Sequence, residues 1–337
     1  EDNLFAMSDR KQTAMPVLPL PLVSVVITNF NYRNYVGQAI RSVAAQTYTN
    51  FECVIVDDVS TDGSAQVIEE TLAELADPRF SLFVNPVNTG QMGAMKAGLA
   101  RTNGKFVVFV DADDMLLPDF LAQHVRAHLD ASSSAGTSSS DTIQIDETGA
   151  MVEGTYPIFP KNRPRQRKRG TRLHETSFGH VTASGIMPPA VDNPAVRFIS
   201  RRVDGWHGVA TSGFMFRKDL VDLIMPADTE PLRVCADGYL VKFVHYIAGT
   251  LAIEAPLGCY RVHGSNLWAR NPHLGGGHEL GNFSPKQTAA TMDLMLLHLN
   301  ANREVFRKTL GSNGVKKIIA RMKFYIILCH IGNPFYR

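Results

Sequence analysis

The amino-acid sequence predicts an α/β fold with a mostly parallel central sheet, flanked by helices and followed by a helical C-terminal extension. Apolar runs typical of buried strands alternate with helical patterns from Val23 to Asp130. Polar residues cluster where the strands end. A chain of 337 residues, 45% of them hydrophobic, is long enough for one large core with extensions. Strands and helices that alternate at this spacing form right-handed crossovers and a parallel sheet.

The first half of the chain predicts four strands and four helices. Strands are expected at Val23 to Thr28, Phe51 to Asp58, Phe80 to Asn85 and Lys105 to Asp111. Helices are expected at Asn34 to Gln46, Asp62 to Leu75, Gly90 to Ala100, and from Pro118 onward. The β-branched run VSVVIT suits a strand covered on both faces. Val36, Ile40 and Val43 share one helical face, and proline tolerates the first turn of a helix.

Beyond Ala131 the pattern weakens. ASSSAGTSSS is of low complexity and predicts a loop; alternatively, part of it continues into the short strand TIQID. The segment 161–202 has little periodicity. Regularity returns with a helix in CADGYLVKFVHYIAG and a strand in LAIEAPLGCYRVH, and residues 284–310 and 314–330 predict further helices.

Charge and cysteine content restrict the function classes. The net charge of +2 argues against a nucleic-acid-binding protein, although residues 161–172 and the stretch from Arg303 are basic. The basic run suits an anionic acceptor, a membrane surface or a solvated loop. The four cysteines form no CxxC pair, which predicts buried free thiols in a reducing compartment. No signal-peptide pattern opens the chain, so a cytoplasmic location is expected.

Three carboxylates come directly after the most apolar strand, in KFVVFVDADDMLLP. Ligands bind beyond the carboxyl ends of parallel strands, where Asp111 and Asp113 lie. Two acids this close cannot both ionise at low cost without a cation, and their oxygens suit Mn²⁺ or Mg²⁺ completed by substrate phosphates. Alternatively, Asp113 and Asp114 oppose the dipole of the helix from Pro118, which leaves Asp111 unexplained. Asp114 is expected only to begin that helix.

These motifs together resemble the family 2 glycosyltransferases of the Rossmann-like GT-A fold. The resemblance covers Pro21 to Asp130 closely, through VSVVITNFNYRNYV, FECVIVDDVSTDGS and NTGQMGAMKAGLARTNGKFVVFVDADD. It resumes more loosely at TSGFMFRKDL, ADGYLVKF and YRVHGSN. It implies inverting transfer of a sugar from a nucleoside diphosphate sugar, with a UDP-sugar expected, to a hydroxyl of a carbohydrate, glycolipid or anionic polymer.

The resemblance assigns the donor side of the site. Thr28 and Phe30 stand where the family holds the uracil or its ribose, and Phe30 replaces a frequent tyrosine. Asp58 would bind the base edge; taken alone, it is equally a loop-capping acid. Lys96 stands where asparagine is frequent, and its charge would reach a phosphate.

The resemblance also assigns the metal ligands. Asp113 is the metal ligand of the DxD motif, and Asp111 contacts the ribose or the metal. His263 matches a late histidine that reaches the metal or the pyrophosphate. A lone histidine is more often structural.

The acceptor side comes from the second half of the chain. Asp237 would be the general base, although Ala236 replaces the glutamate that precedes it in the family; helix capping is its alternative role. Ser212 and Gly213 belong to the loop near acceptor and donor sugar. Trp206 would stack on an acceptor sugar or pack in the core.

We therefore expect an N-terminal extension (1–20), a nucleotide-sugar-binding half (21–130), an acceptor-binding half of the same domain (131–270) and a C-terminal helical region (271–337). The basic helix VKKIIARMKFYIIL suits the inner face of a membrane or a partner subunit, including a second copy. Its apolar run is too short to span a bilayer.

Two other function classes stay open at this point. VVFVDADD resembles the opening of haloacid-dehalogenase phosphatases, but that motif lies near the N-terminus and continues with Gly-Thr. A non-catalytic nucleotide- or carbohydrate-binding module is favoured only by Ala236. GTRL at residues 170–173 resembles the glycine-rich loop of sugar nucleotidyltransferases, and this match is interpreted as a coincidence. His124 and His128 have the i, i+4 spacing of metal ligands on a helix, but they are interpreted as packing or surface residues.

Overall fold

The computed structural model describes residues 18–153, 181–182, 185–186, 193–203, 207–264, 266 and 285–330. Its strands are β1 (Val23–Asn29), β2 (Phe51–Asp57), β3 (Phe80–Val84), β4 (Phe106–Asp111), β5 (Met115–Leu116), β6 (Thr137–Ile145), β7 (Met151–Glu153), β8 (Val181–Thr182), β9 (Gly185–Ile186), β10 (Val196–Ile199), β11 (Phe214–Arg217) and β12 (Thr250–Arg261). Its helices are α1 (Val36–Ala44), α2 (Ser64–Leu75), α3 (Gly90–Leu99), α4 (Phe120–Asp130), α5 (Lys218–Ile224), α6 (Ala236–Ala248), α7 (Pro285–Ala301) and α8 (Arg303–His330).

A central sheet runs through both halves of the chain, in the order β10-β12-β6-β11-β4-β1-β2-β3. The first half is parallel, because β1 pairs with β2 and β4 and β2 pairs with β3 in that sense. In the second half, β11 is antiparallel to both β4 and β6, while β12 is parallel to β6. The predicted α/β fold is confirmed.

Helices cover both faces of the sheet, which explains the nearly continuous apolar strands. Along β1, Val25 and Ile27 face the core that includes α1 and α4, whereas Val26 faces the core that includes α3 and α6. This alternation is the period of two expected of a strand. The C-terminal helices α7 and α8 add Met295 and Phe306 to the second core.

Two predictions about local structure need correction. The alternative that part of ASSSAGTSSS continues into a strand is confirmed, because Thr137 to Ser140 belong to β6 and are buried between β11 and β12, so the loop prediction was wrong for these four residues. Small hydroxyl side chains fit this narrow space, and their polarity hid the strand. Helix α4 begins at Phe120, two residues after Pro118. Both histidines of α4 are packing residues; the His124 Nδ1 lies 2.7 Å from the Ser138 hydroxyl.

Strand β12 carries an irregularity that matters for the site. Its register with β6 shifts between Ile253 and Pro256 and again between Pro256 and Gly258. Beyond the shifts, Cys259 to Arg261 pair regularly with Ile143 to Ile145.

All four cysteine thiols are free; those of Cys53, Cys259 and Cys329 are buried as predicted, whereas Cys235 is only partly buried. Across the described ranges, no helix is both long enough and apolar enough to span a membrane.

Candidate active site

A pocket of about 390 Å³ opens at the carboxyl ends of β1, β2 and β4. Among the predicted site residues it is lined by Thr28, Phe30, Asp58, Asp111, Asp113 and Asp237. Residues from both halves of the chain therefore meet in one cavity, although they lie far apart in sequence. Phe30 is 47% exposed there, so its ring is available to a ligand.

Burial makes the acids at the end of β4 electrostatically costly. Desolvation, followed by the negative charges of Asp113 and Asp237, raises the pKa of Asp111 to about 7. The Gln91 side chain opposes this shift through an Nε2 hydrogen bond of 3.3 Å to Asp111 Oδ1. A group of acids in this state favours a bound cation.

Asp113 and His263 form the most direct pair in the pocket region. The His263 Nε2 lies 3.0 Å from Asp113 Oδ2, and both side chains are nearly buried. The His263 ring stacks on Tyr35, with ring centroids 5.3 Å apart, and the edge of Tyr32 packs against it. Tyr32 also donates a hydrogen bond to Asp113; burial and then the charge of Asp113 raise the pKa of this phenol.

Asp114 does more than begin the next helix, so that prediction was wrong. Its side chain is 2% exposed and accepts hydrogen bonds from the Ser212 hydroxyl at 2.7 Å and from the Arg261 backbone N–H at 3.0 Å. Ser212 in turn accepts the Asp111 backbone N–H at 3.1 Å. The Asp114 carboxylate thus connects the end of β4 to the loop before β11 and to the end of β12.

Arg261 supports the same turn. Its side chain is fully buried, and Nε donates to the Asp113 carbonyl at 2.8 Å. One terminal nitrogen donates to Gln38 Oε1 at 2.8 Å and the other to the Asp146 carbonyl at 3.1 Å. A buried guanidinium held this way keeps the DxD turn in one conformation.

The structure shows Asp58 as a cap for α3. Its carboxylate accepts the backbone N–H of Gly90 at 2.7 Å and the Thr89 N–H at 2.9 Å, together with the Asn85 amide at 2.7 Å. These contacts are those of the loop-capping alternative. Asp58 also lines the pocket, so contact with a base edge stays a prediction.

Asp237 lies in the first turn of α6 and accepts the Gly238 N–H at 2.8 Å. Burial raises the pKa of its carboxyl group. Cys235, just before the helix, has a left-handed φ of 60°, so the chain turns sharply into α6. A carboxylate with raised basicity at a pocket wall suits a general base.

Other predicted residues lie away from the pocket wall. Lys96 donates to the carbonyls of Pro226 and Ala227 at 2.8 and 2.7 Å, so its charge is used in a loop contact and the proposed phosphate contact gains no support. Gly213 is buried, and a Cβ there would lie 2.0 Å from the Val209 side chain. Trp206, the basic run 161–172 and the GTRL segment lie outside the described residues.

Three residues that shape the candidate site were not predicted from the sequence: Tyr32, Gln91 and Arg261. Tyr32 and Arg261 belong to the quoted motifs NFNYRNY and YRVHGSN, so their position beside motif residues was an available signal. Gln91 lies in the quoted motif NTGQMGAMKAGLA, but an uncharged amide at the start of a helix did not indicate a role in chemistry.

The side chains around Asp113 include residue types that can act as metal ligands. Within the described part of the chain, no group of three or more His, Cys, Asp or Glu side chains could hold a metal ion. Asp113 and His263 nevertheless offer one oxygen and one nitrogen ligand side by side, a pair that fits Mn²⁺ if substrate oxygens and water complete the shell. The residues therefore fit a metal that binds together with a diphosphate.

Comparison with known proteins defines the class. The sequence profile described as Glycosyl transferase family 2 matches residues 24–192, about half of the chain. The chain belongs to this family. An uncharacterized glycosyltransferase of Nostoc sp. is 29% identical over 244 residues, which span 72% of this chain and 66% of the relative. The succinoglycan biosynthesis protein ExoO of Rhizobium meliloti is 29% identical over 172 residues, spanning 48% of this chain and 47% of the relative.

Solved structures support the fold. The crystal structure of residues 1–349 of S. aureus TarS is similar with a TM-score of 0.54 and 17% identity, covering 93% of this chain and 72% of that one. The same fragment in complex with UDP gives a TM-score of 0.51 at 17% identity, covering 82% of this chain and 65% of that one. The chain thus spans less than two thirds of the two sequence relatives, and the structural likeness defines the fold alone.

Proposed function

We propose that this chain transfers a sugar from a nucleoside diphosphate sugar, a UDP-sugar, to an acceptor hydroxyl with inversion, in the assembly of a polysaccharide or related glycan. The observation that carries the proposal is that Asp111, Asp113 and Asp237 line one pocket. The UDP complex of TarS and the role in ExoO's name support the donor and the pathway class.

Each group has a role in this proposal. Thr28 and Phe30 hold the nucleotide, and Asp237 accepts the proton of the acceptor hydroxyl as that oxygen attacks the anomeric carbon. Asp113 and His263 would hold Mn²⁺ or Mg²⁺. Such an ion, when bound, offsets the negative charge of the departing diphosphate.

The other function classes are less well supported. A dehalogenase-like phosphatase would need Asp113 as a free acid, whereas Asp113 pairs with His263. A non-catalytic module gives no reason for Asp237 to line the same pocket as Asp111.

The test is a panel of nucleotide sugars, with binding and hydrolysis measured in Mn²⁺. Asp113→Asn should lose metal-dependent nucleotide binding. Asp237→Asn should keep binding but lose about 10²- to 10⁴-fold in turnover, the range typical of a general base. Metal-dependent binding that is equal in wild type and Asp113→Asn would overturn the metal assignment. Phosphate release from monoesters would favour the phosphatase.

We also propose that α8 contacts an anionic membrane. From Val305 to His330 the sequence carries Lys and Arg residues but no acid, and Phe324 and Ile327 are 56% and 58% exposed. Removing the helix is a poor test, because Val315, Ile318 and Met322 are buried in the core. The double substitution Phe324→Ser, Ile327→Ser should abolish sedimentation with anionic liposomes. Unchanged sedimentation of the double variant would contradict membrane contact by these two side chains.

A further inference from the structure

Two segments at the pocket rim are fastened together: the start of α3, at Asn88 to Gln91, and the approach to α6, at Arg233 to Asp237. The Gln91 backbone N–H donates to the Arg233 carbonyl at 2.8 Å, and the Arg233 guanidinium donates to the Asn88 carbonyl at 3.2 Å. Gly90 allows the close approach. It has a φ of 71°, and a Cβ there would lie 2.7 Å from the Arg233 Cα.

The Gln91 side chain crosses between the two walls of the pocket. Its Nε2 donates to Asp111 Oδ1 at 3.3 Å, and its Oε1 accepts the Ala236 backbone N–H at 2.9 Å. The primary amide of glutamine supplies a donor and an acceptor at the two ends of one planar group at any pH near neutrality. The side chain therefore links the donor-side acid to the first turn of α6.

The start of α6 needs such a partner. The first backbone N–H groups of a helix have no partner inside the helix. Cys235 occupies the N-cap position without a side-chain cap, and Ala236, buried, has no polar group of its own. The next residue is Asp237, whose direction depends on how this turn is held.

We propose that Gln91 is a positioning residue that orients Asp237 toward Asp111 and the donor, in place of the acid that the family carries at position 236. This inference rests on the proposed function, with Asp237 as base. Gln91 acts through the helix turn and needs no contact with the acceptor.

The experiment compares Gln91→Met, which keeps the size but loses both hydrogen bonds, with the matched change Gln66→Met on an exposed face of α2. The measurements are UDP-sugar hydrolysis in Mn²⁺ and the Kd of UDP. Gln91→Met should lower kcat about tenfold while KM and the Kd change less than about threefold, and Gln66→Met should match wild type. Placed on Asp237→Asn, Gln91→Met should add no further loss, because both act on the same step.

Gln91→Glu provides the second variant, which also answers the question if Gln91→Met does not fold. It keeps an acceptor for the Ala236 N–H but presents a carboxylate to Asp111. Because it keeps the acceptor for α6, its kcat should fall clearly less than that of Gln91→Met, while the added charge beside Asp111 lowers its UDP affinity. A kcat loss as large as expected for Gln91→Met, or losses that multiply with Asp237→Asn, would overturn the positioning role. So would a raised Kd with unchanged kcat in Gln91→Met.

Failure of the proposed function is distinguishable from failure of this inference. If the wild-type protein turns over no nucleotide sugar, the proposed function fails. If it is active and Gln91→Met equals wild type, only the inference fails.

Discussion

The two walls of the pocket are held in different ways. The wall at the ends of β1 and β2 is built from neighbouring strand ends, as in the Asn29 Nδ2 hydrogen bond of 2.7 Å to Asp57 Oδ1. The opposite wall, from the loop before β11, the start of α6 and the end of β12, joins the first half through contacts distant in sequence. Ser212 reaches Asp114, and Arg261 reaches the carbonyl of Asp113.

Under the proposed function, this difference separates nucleotide binding from proton transfer. Successive βα units can assemble the wall at the ends of β1 and β2 from contacts between nearby parts of the chain, whereas the wall that carries Asp237 forms only when distant segments dock. Substitutions in the docking contacts should therefore disturb the second wall and the DxD turn before they disturb the first core.

The largest effect is expected from Arg261→Met. The change leaves the Asp113 and Asp146 carbonyls and Gln38 Oε1 without their donor inside the protein. At 1–3 kcal/mol for the buried Asp113 carbonyl, and less for the more exposed Asp146 and Gln38 groups, we expect roughly 2–4 kcal/mol lower free energy of unfolding and loss of nucleotide binding. Urea unfolding and UDP titration measure the two effects. The exposed pair of Arg307 with Glu304 gives the control Arg307→Met, expected to cost under about 0.5 kcal/mol. Similar losses in both variants would contradict the docking role.

A smaller effect should come from pH at the seam between the halves, where His128 of α4 packs on Phe106 and forms a hydrogen bond with the Met215 backbone of β11. Burial, followed by the charge of Arg217, lowers the pKa of His128 from 6.5 to about 4. Between about pH 6.5 and pH 4, His128 is therefore protonated in the unfolded chain but neutral in the folded chain. The stabilisation is complete above pH 6.5 and declines as the pH falls toward 4, by about 3 kcal/mol.

The comparison with His128→Leu isolates this contribution. The raised pKa of Asp111 acts in the opposite direction in both proteins, so only their difference is informative. The gap in unfolding free energy between the variant and wild type should change steadily in favour of the variant as the pH falls from 7 to 4. A constant gap would show that His128 is not the group responsible.

The smallest effect tests the contact between the two rim segments. Gly90 and Gly63 have φ values of 71° and 87°, but a Cβ at Gly63 would only touch the Arg33 side chain at 3.5 Å, whereas one at Gly90 would clash with Arg233. Alanine in a left-handed conformation costs about 1 kcal/mol at either site, and the clash with Arg233 should add about 2 kcal/mol at Gly90. Urea midpoints of Gly90→Ala and Gly63→Ala measure this difference. Equal losses of stability in the two variants would contradict a close contact between the two rim segments.

The same contrast explains what could be predicted from the sequence. The strand ends were predictable because apolar β-branched runs and the acids after them are local signals, as at Val23 and Asp111. The partners of Asp114 could not be predicted, because Ser212 and Arg261 are distant in the chain and no local sequence pattern indicates the contacts. Serines 138–140 were misjudged as loop because burial between two strands overrides their low strand propensity. The role of Gln91 depends on a three-dimensional approach that no spacing encodes.

The register shifts in β12 have a consequence for how this chain can tolerate insertions and deletions. Side chains alternate between the two faces of a strand, so losing one residue between Ile253 and Gly258 would turn Arg261 away from the Asp113 carbonyl. The β6–β7 turn depends on Arg261 at its start, where the Asp146 and Glu147 carbonyls accept hydrogen bonds from the guanidinium. Length variation should therefore be acceptable in that turn only after Glu147, and it should be excluded from the irregular part of β12.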